Sequence, residues 1–204
     1  MSDHYYSEKP TTKSSQKKIS ENILNHSFTF QVDRGVFSRE GLDYGTRLLI
    51  ETFRSPEVEG KIADVGCGWG PIGISLAYNY SERHIVMVDI NERSVFLSQQ
   101  NAQLNKVSNV SISQNNLLNG FKEGSFAAIL TNPPIRAGKD VVFAIYEQAD
   151  RMLMNHGELW VVIQKKQGAA STKQKLEELG FELTVENKQK GYLIFRGKKI
   201  DSSD

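Results

Sequence analysis

From Lys61 onward the chain alternates short apolar runs with longer amphipathic stretches, and this rhythm narrows the accessible folds more than any other feature. Strand-like runs fall at Ile62–Val65, Ile85–Val88, Val110–Ser113, Ala127–Leu130, Leu159–Ile163, Phe181–Val185 and Tyr192–Phe195. Helix-like segments at Ile72–Tyr80, Glu92–Leu104, Val141–Met154 and Thr172–Leu179 separate most of them. Strands spaced by helices build a parallel sheet with helices laid across it. The last two runs are joined only by Asn187–Gly191, which leaves no room for a helix and predicts an antiparallel hairpin closing the sheet. The expected architecture is α/β, with a mostly parallel seven-stranded sheet and helices on both faces.

Upstream of this core, residues 1–22 are polar and read as an N-terminal tail, with the folded domain expected over 23–200. Phe28, Phe30 and Val32 alternate with polar residues. Asp33-Arg34-Gly35 then signals a turn before Val36-Phe37, which predicts a short hairpin. Leu42 to Phe53 carries apolar residues at helical spacing. A chain of 204 residues fits one domain. The single cysteine, Cys67, forbids an internal disulfide and has no Cys or His neighbours at metal-ligand spacing, so no metal is expected. No apolar run approaches the roughly 20 residues that span a bilayer, and the N-terminus shows no signal-peptide pattern. The expected location is cytoplasmic.

Gly66, Gly68 and Gly70 follow the first core strand at once and precede a helix. They therefore sit at the carboxyl edge of the sheet, where open α/β folds bind ligands. A dinucleotide loop, Gly-x-Gly-x-x-Gly, would need glycine at position 71, which is Pro71. The string present is Asp64-Val65-Gly66-Cys67-Gly68-Trp69-Gly70. A carboxylate at the mouth of a loop repels anions and suits an ammonium. The second strand ends at Asp89, spaced to accept ribose hydroxyls, with Ile90 placed to pack on an adenine. Asn116 follows the third strand, where an adenine amino group can be reached or where a surface turn can lie.

The fourth strand runs into Thr131-Asn132-Pro133-Pro134-Ile135. Two prolines end the strand and stiffen the loop. The Asn132 side-chain oxygen and a carbonyl of the Pro133 segment can each accept a proton of a planar amine. Such bonds draw the nitrogen lone pair out of conjugation and aim it.

The Asp-x-Gly-x-Gly-x-Gly string resembles the first motif of class I S-adenosylmethionine-dependent methyltransferases. Asn-Pro-Pro-Ile resembles the Asn-Pro-Pro-aromatic signature of those acting on amide or exocyclic amino nitrogens. The departure is Ile135, where an aromatic would stack on a base. Gly35 to Thr46 (Gly-Val-Phe-Ser-Arg-Glu-Gly-Leu-Asp-Tyr-Gly-Thr) is similar to the segment before the core in small-subunit (16S) ribosomal RNA guanine-N2 methyltransferases. The resemblance runs from about Phe28 to Lys198. It implies a Rossmann-like class I fold and S-adenosylmethionine as cofactor. It implies a cofactor site at Asp64, Gly66, Cys67, Gly68, Gly70, Asp89, Ile90, Asn116 and Thr46, with Asp43 and Gly45 also near the methionine end. It puts Asn132, Pro133 and Pro134 at the transfer step.

Phe37 and Arg39 fall over the substrate side by the same resemblance, although a core aromatic and a solvated charge are the plain alternatives. Ile135, Arg136, Lys139 and Lys165 complete the expected substrate contacts. From Thr131 to Lys199 there are 12 Lys and Arg against 8 Asp and Glu, an excess that suits phosphate contacts with ribosomal RNA or the small ribosomal subunit. Three other readings stand beside guanine N2: a protein glutamine N5 methyltransferase, an adenine N6 methyltransferase, and a non-catalytic RNA-binding relative. Intact Asp64, Asp89 and Asn132 oppose the last.

Overall fold

The computed structural model describes residues 13–200. A seven-stranded sheet runs through them in the order β5-β4-β3-β6-β7-β9-β8. Its strands are β3 (Lys61–Val65), β4 (Ile85–Asp89), β5 (Val110–Gln114), β6 (Phe126–Thr131), β7 (Leu153–Gln164), β8 (Glu182–Gln189) and β9 (Tyr192–Lys198). β5, β4, β3, β6 and β7 pair in parallel, and β9 is antiparallel to both its neighbours. Both faces are covered. Ile62, Met87, Leu130 and Trp160 pack under α1 (Tyr44–Thr52), α2 (Pro71–Asn79) and α3 (Glu92–Leu104). Val65, Val88, Ile129 and Val161 pack under α4 (Lys139–Met152) and α5 (Ala169–Glu178). This is the expected α/β architecture, closed by the expected C-terminal hairpin.

The chain winds outward from β3 to β5, then returns to place β6 on the other side of β3. The carboxyl ends of β3 and β6 are thus neighbours at the switch point, where open α/β sheets bind ligands. The buried Thr131 hydroxyl bolts these ends together by donating to Val65 O at 3.0 Å.

The expected hairpin at Val36-Phe37 does not form. β2 (His26–Val32) pairs antiparallel with the preceding strand β1 (Lys17–Ile23), six of whose residues were read as polar tail. β1 hides in the sequence because its exposed positions are Lys18, Ser20 and Asn22 and its inward face sets Glu21 between Ile19 and Ile23. Its turn uses Leu24 and Asn25 with φ of 49° and 63°, the left-handed pair a tight hairpin needs, without a glycine to mark it. Residues 1–12 of the expected tail lie outside the described residues.

This two-stranded ribbon is too small to be stable alone. α3 holds it by imitating a strand edge. Asn101 accepts from Gln31 N and donates to Gln31 O, at 2.6 and 2.9 Å. Asn105, one turn later, does the same to Thr29 at 3.1 and 2.8 Å. The 101/105 helical spacing roughly matches the 29/31 strand spacing, since one helical turn and two strand residues are similar lengths. Asn101 also donates to Trp69 O at 2.8 Å, so the ribbon and the glycine loop share one buried side chain. Asn101→Ala strands three backbone groups and should cost about 1–3 kcal/mol. Urea unfolding and Gln31 amide exchange read the effect. Unchanged stability and protection would remove Asn101 as the clamp.

Candidate active site

A cavity of about 690 Å3 opens at the carboxyl ends of the parallel strands, within the range of small-molecule sites. Val65 to Trp69 form one wall, and Asp89, Ile90, Asn115, Asn116 and Leu117 another. Asp43, Thr46 and Asn132 to Ala137 face them, and Val36 to Ser38 lie at its edge.

The glycine loop leaves β3 by crossing the end of β4, with Gly66 N and Cys67 N donating to Val88 O at 2.9 and 3.0 Å. Gly66 and Gly68 have φ of 77° and 57°, and an added Cβ at either would meet no atom within 4 Å. They present bare backbone to open space, which is how a loop admits a ligand closely. Gly70 is needed for another reason. At φ 95° it begins α2, and a Cβ there would press on Ile74, Ser98 and Met87 at 2.8 to 3.1 Å. It shapes the loop and is not part of the cavity wall.

Asp89 fixes the loop from below. Its Oδ2 accepts from Gly68 N and its Oδ1 from Asn91 N, both at 2.8 Å. Each oxygen keeps accepting capacity for a diol. Burial raises its carboxyl to about 6, against the backbone N–H groups of Asn91, Gly68 and Ile90. Asn116 lines the cavity as expected, beside Asn115 and Leu117, which the sequence did not single out. The Cys67 thiol is buried beside Ser98 Oγ at 3.6 Å, and burial pushes its pKa up, so it is packing and not a nucleophile.

Asp64 is not where its sequence position implied. It is wholly buried behind the loop, outside the cavity wall. Its Oδ2 accepts from Gly73 N in α2 at 2.9 Å, while Oδ1 has no partner. The side chain alternates onto the α2 face of the sheet with Ile62, which carries it away from the open edge. Burial raises its carboxyl to about 7, eased by Gly73 N–H and worsened by the charge of Asp89.

The Asn-Pro-Pro segment leaves β6 as a tight turn. Pro134, at φ −76° and ψ 79°, is the centre of an inverse γ-turn in which Ile135 N donates to Pro133 O at 2.9 Å. Pro133 O therefore retains one lone pair. The Asn132 amide is tied by its nitrogen, which donates to Thr46 Oγ1 at 2.9 Å and to Asp43 Oδ2 at 3.4 Å. Thr46 reaches that position because Gly45 lets the first turn of α1 press against Tyr192, where a Cβ would sit 2.7 Å from the ring.

Phe37 is 41% exposed at the cavity mouth, and the buried Trp69 holds its carbonyl through Nε1 at 2.9 Å. Ile135 and Arg136 also line the cavity. Three expected substrate contacts lie off the cavity wall. Arg39 leans toward Glu40 at 3.5 Å. Lys139 sits over the Phe143 ring at 4.9 Å. Lys165 is exposed on the β7–α5 turn, its N–H donating to Gly191 O at 2.8 Å. Among the described residues no cluster of His, Cys, Asp or Glu could hold a metal, and no helix is long and apolar enough to cross a membrane.

The switch-point cavity, its glycine cradle and the strand order define the class I methyltransferase fold, and the cradle fits the nucleoside and amino-acid ends of S-adenosylmethionine. Residues 27–196 match the methyltransferase small domain family, and the chain belongs to that family, with S-adenosylmethionine as methyl donor. It is 55% identical over 201 residues to the uncharacterized protein YbxB of Bacillus subtilis, covering 98% of this chain and all of that one. It is 36% identical over 122 residues to the ribosomal RNA small subunit methyltransferase C of Pseudoalteromonas atlantica, covering 60% of this chain and 35% of that enzyme. The T. Thermophilus 16S rRNA N2 guanine methyltransferase RsmC, solved with AdoMet and guanosine, superposes with a TM-score of 0.80 at 24% identity. That match covers 93% of this chain and 52% of the other. The chain thus spans about a third to a half of these two enzymes.

Asp64 gives a pH test. Its folded carboxyl is raised from 3.8 to about 7, so the folded form binds the proton more tightly than the unfolded chain. The stability this carboxyl contributes is therefore present below about pH 3.8 and is lost as pH rises from there to about 7. Asp64→Asn keeps an acceptor for Gly73 and removes the charge. Its melting temperature should exceed the parent's at pH 8, with the gap shrinking toward pH 4. A gap independent of pH would show that Asp64 is not the buried charge described.

Proposed function

We propose that this chain methylates the exocyclic N2 amine of guanine in small-subunit ribosomal RNA. The observation that carries the reading is Asn132, which lines the cavity beside the glycine loop with its amide nitrogen engaged by Thr46 and Asp43, leaving its side-chain oxygen to accept. The likeness to small-subunit RNA methyltransferases supports the substrate, although those enzymes are longer than this chain.

Bound S-adenosylmethionine supplies an electrophilic methyl group on a sulfonium. In this reading Asp89 accepts the ribose hydroxyls, Ile90 and Leu117 enclose the adenine, and Asn116 meets its amino group. Asp64 holds the loop against α2 and adds negative potential beneath the cationic donor. Asn132 Oδ1 accepts one amine proton, and the free lone pair of Pro133 O accepts the other. The γ-turn at Pro134 keeps those two acceptors at fixed separation, which is the condition for an in-line approach. The methylated nitrogen sheds its proton to water, so no strong base is needed. Phe37 supplies the aromatic face that Ile135 lacks, and stacking on it is worth about 1–3 kcal/mol per base. The target base must leave its helix to reach the cavity. Arg136 at the rim, with Lys165 and Lys139 farther out, meets the RNA backbone.

Purified protein incubated with isotope-labelled S-adenosylmethionine and small-subunit ribosomal RNA should yield N2-methylguanosine on nucleoside analysis. Asn132→Ala should keep cofactor affinity and lose about a hundredfold in transfer. Label appearing on another nucleoside, or full transfer by that variant, would refute the assignment. Cofactor binding should also weaken below pH 6, because only the ionised Asp89 accepts both hydroxyls and its raised carboxyl protonates there. Binding near pH 6 should release protons, read by calorimetry in buffers of different ionisation heat. Asp89→Asn should bind weakly at every pH, and a pH profile identical to the parent's would exclude Asp89.

A further inference from the structure

The turn after β7 and the turn between β8 and β9 meet at the same edge of the sheet as the cavity. Gln164 ends β7 and pairs with Tyr192, which begins β9, and its Nε2 donates to Tyr192 Oη at 2.7 Å. Lys165 N then donates to Gly191 O at 2.8 Å, which holds Lys165-Lys166 beside Lys190-Gly191. Lys190 and Gly191 have φ of 46° and 80°, the left-handed pair of a two-residue hairpin turn, so this tip is short and stiff. Gln164 and Tyr192 line the cavity, and the tip therefore begins where the cavity wall ends.

Lys165, Lys166, Lys188 and Lys190 are all exposed around this tip. Among the described residues none of them pairs with a carboxylate. The cations near the Phe37 loop behave differently, since Lys17 and Arg39 reach Glu40 and Arg93 reaches Asp33. Lys190 is nonetheless held in place. Its Nζ lies over the Tyr44 ring, 4.6 Å from the centroid. Tyr44 is fixed in turn by its hydroxyl, which donates to Gln189 Oε1, and by the Tyr192 ring at 5.7 Å. A carboxylate would hold an ammonium and cancel its charge, whereas an aromatic face holds it and leaves the charge intact. Such a cation has given up part of its rotamer freedom before a ligand arrives, which lowers the cost of binding.

We infer that Tyr44 and the β8–β9 tip form a preset clamp for the RNA phosphate next to the nucleotide whose base enters the cavity. Lys190 is its fixed cation, and Lys165 and Lys166 flank it. Neighbouring cations without counter-charges repel one another, and a polyanion relieves that repulsion along its length. RNA fits better than an acidic peptide, because a base seated in the adjoining cavity carries its own phosphates to the mouth by covalent connection. The inference rests on the RNA reading above and adds where the strand leaves the cavity and what grips it there.

The test follows a fluorescent, single-stranded, guanine-containing oligoribonucleotide binding to the full chain loaded with S-adenosylhomocysteine, by anisotropy across a salt series. The slope of log affinity against log salt should fall by about 0.7 for Lys190→Gln and by the same again when Lys165→Gln is added, one phosphate contact each. Tyr44→Leu keeps every charge and removes the ring, so affinity should drop about two- to fivefold with the slope unchanged. Tyr44→Phe keeps the ring and should bind like the parent. That split separates a held cation from a merely charged surface. Melting temperature and S-adenosylhomocysteine affinity verify that each variant is folded. Unchanged slopes in the lysine variants, Tyr44→Leu binding as well as Tyr44→Phe, a polyglutamate peptide binding as tightly as the oligonucleotide, or no RNA binding at low salt would overturn the clamp. If N2-methylguanosine still forms in ribosomal RNA alongside any of those results, the proposed reaction stands without it. The expected slopes with no methylguanosine formed would overturn the reaction and leave the clamp standing.

Discussion

The side-by-side carboxyl ends of β3 and β6 are the constraint on which the site depends. The Thr131-to-Val65 bond fixes them together at 3.0 Å in a buried position. One strand delivers the glycine loop and the next delivers Asn-Pro-Pro, so both motifs line one cavity. Neither motif needs a long loop, and both are stiffened within a few residues of the sheet. Rigid placement is the main thing a methyl-transfer site has to provide, since the donor is already reactive.

The loop is held from both sides by carboxylates that the fold buries. Asp89 binds Gly68 N from the cavity side, and Asp64 binds Gly73 N from behind. Burial raises both carboxyls, and the charge of Asp89 adds to the shift at Asp64. The N-terminal ribbon belongs to this arrangement as well. Asn101 links β2 to the backbone of Trp69, and Trp69 Nε1 then holds Phe37 over the mouth.

Much of this was legible in the sequence where one local rule decides the outcome. Glu92–Leu104 is both the expected and the observed α3, because Asn91 is a strong N-cap and the segment holds no Gly or Pro to break it. The sheet, its closing hairpin and the motif positions followed from strand–helix alternation. What escaped was decided by tertiary contacts. β1 looks like tail because its side chains are mostly polar, and the ribbon it forms with β2 is held by Asn101 and Asn105 gripping β2. Asp64 turned inward because strand alternation outranks the loop motif it precedes. Arg39 and Lys139 fall beside the cavity in sequence yet lie off its wall, since a long cationic side chain goes to the nearest carboxylate or ring. Asp43 and Thr46 could be placed near the methionine end by resemblance alone, but their grip on Asn132 spans 86 or more residues and no spacing rule reports it.

The central claim is that this edge of the sheet moves a methyl group onto guanine N2 of small-subunit ribosomal RNA. Mass mapping of that RNA from cells with and without the protein tests it most directly. The account predicts that one N2-methylguanosine is lost when the protein is absent and returns with the unaltered chain but not with Asn132→Ala. An identical modification map in both cells, or loss of a methyl group from another base or from a protein, would contradict it.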